Sequence, residues 1–288
     1  MAAPSMDTPS HQAHLDGAVV TEDLEVDLLL EAIFRRFGFD FRAYERAGIA
    51  AKLYTVMRER DLGTVSQLQD RVLHDPQVGP AVLRALSVQP VLLFCDFAQV
   101  QRLRRVLAST LHSAALPKVW LAECAGAEEA WSLAILLAEQ GLDGRTEIFA
   151  TVANEDFLRE AESASIPLNR LEVCAQYYRA NGGPGALQQY FEIDGERAVL
   201  RADLRSRITW AQYNLVTDAS FNEFEMILCP RAMADFGPML RGRTLRLFHA
   251  SLALFGVIGL DREFDSGDPL GTLYQPVFPG QSWYKRIA

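Results

Sequence analysis

Two adjacent acids, Glu128 and Glu129, close a short polar turn that leads into an apolar run, E-C-A-G-A-E-E-A-W-S-L-A-I (residues 123–135). Acids so placed have two uses. They contact a polar ligand, or they sit in the first turn of a helix and offset its dipole. Asn214-Leu215 offers the same choice, because an asparagine at a strand end is either a ligand contact or a turn residue. Cys95, Cys124, Cys174 and Cys229 are far apart, with no C-x-x-C and no histidine at ligand spacing. Structural zinc and a disulfide framework are therefore not expected, and no metal site is assigned. Cys124 and Cys229 read as small buried hydrophobes rather than nucleophiles.

The elements that must hold these residues fall into two textures. Over residues 24–86 apolar side chains recur at helical spacing, as in Leu28, Leu29, Ile33 and Phe37. Gly38, Gly48, Gly63 and Asp75-Pro76 divide that stretch into three or four short helices. Residues 88–96 form an apolar connector, and 97–111 an amphipathic helix for which Asp96 is a candidate N-cap. From Pro117 onward short apolar runs alternate with helices. Strands are expected at 118–122, 147–151, 208–210, 226–229 and 254–260, with a final edge strand at 283–287; helices are expected at 128–140, 157–163 and 240–252. An Asp194-Gly195 turn between 190–193 and 198–200 predicts a hairpin. Strand–helix alternation implies a parallel, doubly wound sheet, whose ligand crevice lies beyond the carboxyl ends of its strands. The 123–127 turn, the residues after Thr151, the Asn214 region and residues 229–231 would then surround one crevice. Trp120, Trp131 and Leu133 are read as packing residues.

Composition narrows the classes. A net charge of −9 argues against general nucleic-acid affinity, which needs phosphate neutralisation. No apolar run approaches the roughly 20 residues of a membrane span, and a cytoplasmic protein is the default. Residues 1–23 are read as a disordered acidic leader, in which His11 and His14 are solvated. Residues 34–60 run against the overall charge. Arg35, Arg36, Arg42, Arg46, Lys52, Arg58 and Arg60 face only Asp40, Glu45 and Glu59 there, which suggests an acidic partner or else a solvated helix face.

The run W-L-A-E-C-A-G-A-E-E-A-W-S-L-A-I (residues 120–135) resembles the W-x-A-G-C-S-T-G-E-E-x-Y-S-x-A-I signature of CheR-type chemotaxis methyltransferases. Four more blocks follow the family order. L-S-V-Q-P-V-L-L-F-C-D (86–96) is similar to L-x-I-N-V-T-x-F-F-R-D, and A-T-V-A-N (150–154) to A-T-D-I-N. N-L-V-T-D (214–218) is similar to an N-L block, and I-L-C-P-R-A-M-A-D-F (227–236) to I-F-C-R-N-V-L-I-Y-F. The resemblance spans residues 24–287. It implies an α/β protein with a CheR-like N-terminal helical domain at 24–88 and a Rossmann-like methyltransferase domain at 89–288. It also implies S-adenosylmethionine as cofactor, receptor glutamates as methyl acceptors, and a chemoreceptor-type helical coiled coil as partner. In the family, a small β-subdomain near residues 190–210 can dock a receptor tail.

Methyl transfer to a carboxylate needs no strong base, because the acceptor is already an anion near neutral pH. The enzyme must hold cofactor and acceptor in line, so cofactor-holding residues carry the burden. By resemblance Glu128, Glu129, Asn214, Leu215 and Ala122 remain on the cofactor side. Val152 stands where the family has the acid that binds the ribose, with Asn154 or Glu155 as substitutes. Cys95 stands for the arginine that pairs with the cofactor carboxylate, and Val91 for a threonine. Two family glycines are Glu123 and Ala127, with Gly126 able to restore turn freedom by a one-residue shift. Pro230 and Arg231 replace an arginine and an asparagine. A charge-assisted hydrogen bond contributes roughly 1.5–3 kcal/mol, so losing the arginine and the ribose acid weakens binding by roughly 10²- to 10⁴-fold. The expected protein is a CheR-like regulatory or scaffold module without efficient methyl transfer. One alternative is an active protein-glutamate O-methyltransferase with a rebuilt pocket. Another is a sensor of a different small ligand, with Arg231 and Glu123 as new contacts.

Overall fold

Residues 10–265 and 268–288 are described by the computed structural model, in which the chain divides into two compact units, Met1–Ser87 and Val88–Ala288. The first unit is helical: α1 (Ser10–Phe37), α2 (Arg46–Glu59), α3 (Val65–His74) and α4 (Val78–Leu86). Thr64 caps α3 by accepting from the Gln67 amide, and the helix stops at Asp75, whose extended backbone is what the following proline requires. Leu29, Ile33, Leu53, Leu68, Val82 and Leu86 are fully buried and form its core.

From Ser10 the supposed leader is helical; residues 1–9 lie outside the described ones. Extending a formed helix adds one hydrogen bond per residue without a new nucleus, so the segment needs no core of its own. Acids at its end and just beyond it are also engaged. Glu22 accepts from the Tyr54 hydroxyl, Glu25 from the Ser66 hydroxyl, and Asp23 and Asp27 pair with Arg46.

The second unit opens with α5 (Phe97–Leu111), β1 (Lys118–Leu121), α6 (Ala127–Glu139), β2 (Glu147–Val152) and α7 (Glu155–Glu162). There follow β3 (Ile166–Pro167), α8 (Leu168–Ala180), β4 (Phe191–Asp194), β5 (Arg197–Leu200), α9 (Ala202–Arg205) and β6 (Ile208–Gln212). It ends with β7 (Phe224–Cys229), α10 (Pro238–Ser251), β8 (Leu252–Leu260), β9 (Tyr274–Pro276) and β10 (Trp283–Arg286). The main sheet has the order β6-β2-β1-β7-β8-β10-β9. From β6 to β8 all pairings are parallel, with Trp120 opposite both Phe149 and Ile227. The β4–β5 hairpin forms as expected, turning at Gly195 with φ +56°, and β3 joins it in a second, three-stranded sheet.

Two corrections concern the far side of the sheet. It is mixed rather than parallel, because β10 runs antiparallel to both β8 and β9. And β10 is internal, with β9 outside it. A parallel return needs a long crossover, usually a helix. Between β8 and β10 the described residues hold only a short 3-10 turn, Pro269–Leu273, and β9, so the chain doubles back. Gly259 serves this pairing directly: a Cβ there would lie 2.9 Å from the Trp283 ring.

The core of this unit is continuous from Leu93 to Trp283. Trp120, Trp131 and Leu133 are buried in it or beside it, as expected of packing residues. Among the described residues no helix is long and apolar enough to cross a membrane.

Candidate cofactor site

The strand order reverses at β1, which has β2 on one side and β7 on the other, and such a switch point is where an open α/β sheet binds ligands. The loop leaving β1 is tied to both neighbours. The Ala122 amide donates to the Leu228 carbonyl at 2.8 Å, and the Cys124 amide to the Thr151 carbonyl at 2.7 Å. Between these anchors the chain turns through Glu123, whose φ is +56°. The turn thus keeps a left-handed conformation suited to glycine while carrying a glutamate. Gly126, by contrast, is extended, so the freedom expected of it is not used. Only part of Glu123 reaches solvent, and crowding by protein strips water from its carboxyl, whose pKa rises to about 7.

Helix α6 begins at Ala127, which is buried, and presents Glu128 and Glu129 in its first turn. Each has an arginine partner. Glu128 pairs with Arg170 of α8 at 2.9 Å, and Glu129 pairs closely with Arg231. Glu129 also accepts from the Ala125 amide at 3.2 Å, bracing the turn. Burial pushes the Glu129 carboxyl above its usual range, against the pull of Arg231. The thiols of Cys124 and Cys229 are also pushed up by burial, so both are inert hydrophobes.

Arg231 and Glu129 line a cavity of about 40 Å³ with Val91, Cys95, Asp96, Gln99 and Ser132, otherwise walled by leucine, valine and phenylalanine. Here the structure gathers four of the sequence-chosen residues: Val91, Cys95, Glu129 and Arg231. A second, more polar cavity of about 190 Å³ adjoins it through Asp96 and Gln99, and is lined by Arg102, Pro230, Asp261 and Ser282. Asp261 accepts from the Ala234 amide, and burial raises its pKa.

The other chosen residues lie elsewhere or are already engaged. Val152 is fully buried in the hydrophobic core, and its carbonyl accepts from the Tyr213 amide. Asn154 caps α7 through the Phe157 amide at 2.8 Å, and Glu155 is exposed. Asn214 closes its own turn, accepting from the Val216 amide at 2.8 Å while its amide donates to Asp218. Leu215 is buried. Asp96 caps α5 through the Gln99 amide at 2.9 Å.

Sequence reasoning missed Arg170, Arg102 and Asp261. Arg170 sits on α8, a helix absent from the expected elements. Arg102 had a usable signal, since Asp96, Gln99 and Arg102 recur every third residue and so share one helix face. Phe94 was missed too. Its φ is +59°, and it is pinned on both sides: its carbonyl accepts from Asn181 at 2.8 Å and its amide donates to the Ser132 hydroxyl at 3.3 Å.

Residues 93–261 match the CheR methyltransferase SAM-binding domain, and residues 24–87 the CheR methyltransferase all-alpha domain. The chain belongs to the CheR methyltransferase family. It is 34% identical to Cher3 of Pseudomonas putida, a provisionally named methyltransferase, over 83% of this chain and 87% of that one. It is 23% identical to chemotaxis protein methyltransferase 1 of Pseudomonas aeruginosa over 74% of this chain and 79% of the relative. For the chemotaxis protein methyltransferase of Listeria innocua the figures are 21%, 82% and 88%.

The family's cofactor is S-adenosylmethionine. Val152, which the resemblance places at the ribose, has no side-chain acceptor and is buried in the core, while Asn154 caps α7. At the amino-acid end Cys95 has no guanidinium, and the one in the cavity, Arg231, is engaged by Glu129.

Proposed function

We propose that this CheR-family protein acts in chemotaxis-type signalling as a regulatory or scaffold module whose grip on S-adenosylmethionine is too weak for efficient methyl transfer. The observation that carries this reading is Val152. A ribose diol needs a strong acceptor, and a valine side chain with no exposed surface cannot provide one. In the cavity beside Arg231, Val91 and Cys95 stand where the resemblance has a hydroxyl and a guanidinium, which supports the same reading. Isothermal titration with S-adenosylmethionine tests the reading. Dissociation in the high micromolar to millimolar range is expected; low-micromolar affinity overturns it and favours an active protein-glutamate O-methyltransferase.

The partner in this reading is an acidic, helical signalling protein such as a chemoreceptor-type coiled coil. The basic segment is less free than its composition suggests. Arg35 and Arg42 pair with Glu31, Arg42 also with Asp40, Arg46 with Asp23 and Asp27, and Lys52 donates to the Leu86 carbonyl. Arg36, Arg58 and Arg60 are exposed and make no ion pair among the described residues, so they carry the partner role.

A further inference from the structure

The arginine that resemblance places at position 95 is a cysteine, yet the cavity lined by Cys95 contains a guanidinium. It comes from the opposite wall, from Arg231, just past the end of β7. The cation has in effect changed walls. Without it the cavity would hold Glu129 and Asp96 and no positive charge.

The pairing of Arg231 with Glu129 is close but poorly aligned. Glu129 Oε1 is buried without an aligned hydrogen-bond donor, and Arg231 Nε and Nη2 are buried without an aligned acceptor among the described residues. The side chain of Glu129 is 8% exposed. Glu129 is thus held largely out of water against Arg231 Nη2, while Arg231 Nε has no acceptor among the described residues. The Nε–Nη2 edge is the geometry that grips a carboxylate through two parallel bonds. Glu129 meets only Nη2, through Oε1, while its other oxygen accepts from the Ala125 amide.

We propose that Arg231 is the carboxylate receptor of this crevice, and that Glu129 occludes it until a ligand carboxylate takes its place. The ligand class is a small molecule bearing an α-amino-acid tail. Its carboxylate takes the Nε–Nη2 edge, and its ammonium meets Asp96, the other acid lining the same cavity. This deepens the reading above: the weak grip on the cofactor reflects self-occlusion at the amino-acid end as well as loss of the ribose acid.

Isothermal titration of the full chain tests it with two probes: S-adenosylhomocysteine, which carries the tail, and adenosine, which lacks it. Glu129→Gln keeps an oxygen for the Ala125 amide but releases Arg231. It is expected to bind S-adenosylhomocysteine tighter than the unaltered chain by about tenfold or more, the effect of one additional charge-assisted hydrogen bond. Adenosine affinity stays the same, and adding Arg231→Gln removes the gain. Should Glu129→Gln fail to fold, Glu129→Asp withdraws the same carboxylate by one methylene and gives a smaller gain. Unchanged, weaker or undetectable S-adenosylhomocysteine binding in the folded variants overturns the proposal, as does a gain that survives removal of Arg231. Absolute affinity of the unaltered chain bears on the proposed function, whereas the ratio between variants bears on the occlusion.

Discussion

Glu123 combines two costs in one residue: a side chain in a left-handed backbone conformation, roughly 1–2 kcal/mol, and a carboxyl deprived of water. Its folded pKa of about 7 lies above the ordinary 4.5. Below about pH 4.5 the group is protonated in both folded and unfolded chains and costs nothing through ionisation. As pH rises toward 7 the unfolded chain releases the proton first, so stability falls, and the loss is complete above 7. The size is on the order of 3 kcal/mol, from the difference between the two pKa values. Glu129 and Asp261 are raised by burial as well and act in the same direction. Urea denaturation at pH 5 and pH 8 is expected to show the unaltered chain losing stability with pH, and Glu123→Gln losing markedly less. Equal slopes would mean that water reaches this carboxyl. The sequence revealed that a glycine had become glutamate at 123. It did not reveal that the backbone would keep the glycine conformation there rather than move it to Gly126, because both loop ends are fixed by β2 and β7, and those contacts are distant in sequence.

At the scale of elements, the crevice wall formed by residues 91–96 is irregular backbone braced by a helix. Phe94 holds a left-handed conformation next to Cys95, and Asn181, just past the end of α8, donates to its carbonyl and to the Tyr177 carbonyl. Asn181 is 2% exposed, so removing its amide leaves a buried carbonyl unsatisfied. Asn181→Ala is expected to cost about 1–3 kcal/mol, lowering the melting temperature by about 2–4 °C for each kcal/mol in a unit of this size. A melting curve within a degree of the original would show that Phe94 needs no such brace. Helix α8 was not legible in the sequence. Its residues, L-N-R-L-E-V-C-A-Q-Y-Y-R-A, include charged and aromatic side chains on several faces, and only Leu171, Cys174, Ala175 and Tyr178 are buried. The α6 and β1 segments were legible because eight of the thirteen positions of α6 and three of the four of β1 are buried and apolar. Arg231 lies between these cases. Its identity marked it as unusual, but only the fold brings the residue just past β7 to Glu129 in the first turn of α6.

At the scale of the whole molecule, composition and alternation sufficed for a helical unit followed by an α/β unit, since each draws its core from its own stretch of chain. What they could not supply was the internal pairing of charge. The acidic N-terminal segment and the basic segment after it look like separate surfaces in sequence, yet Asp23 and Asp27 meet Arg46, and Glu31 meets Arg35 and Arg42. The prediction for partner binding follows from this subtraction. Reversing Arg36, Arg58 and Arg60 to glutamate should weaken capture of an acidic helical receptor fragment and flatten its salt dependence, with little change in melting temperature. Reversing Arg42 should instead destabilise the first unit. Loss of binding only in the second case would move the interface elsewhere.

The position of β10 inside the main sheet has a consequence for biosynthesis. While the ribosome is still extending the chain past Leu260, the outer edge of β8 has no neighbour, and Phe255 lies exposed on that strand. Until Trp283 to Arg286 emerges and zips against it, the nascent α/β unit presents a bare row of amides and carbonyls. A stop codon falling anywhere in that interval would therefore release not a slightly shortened protein but an adhesive one.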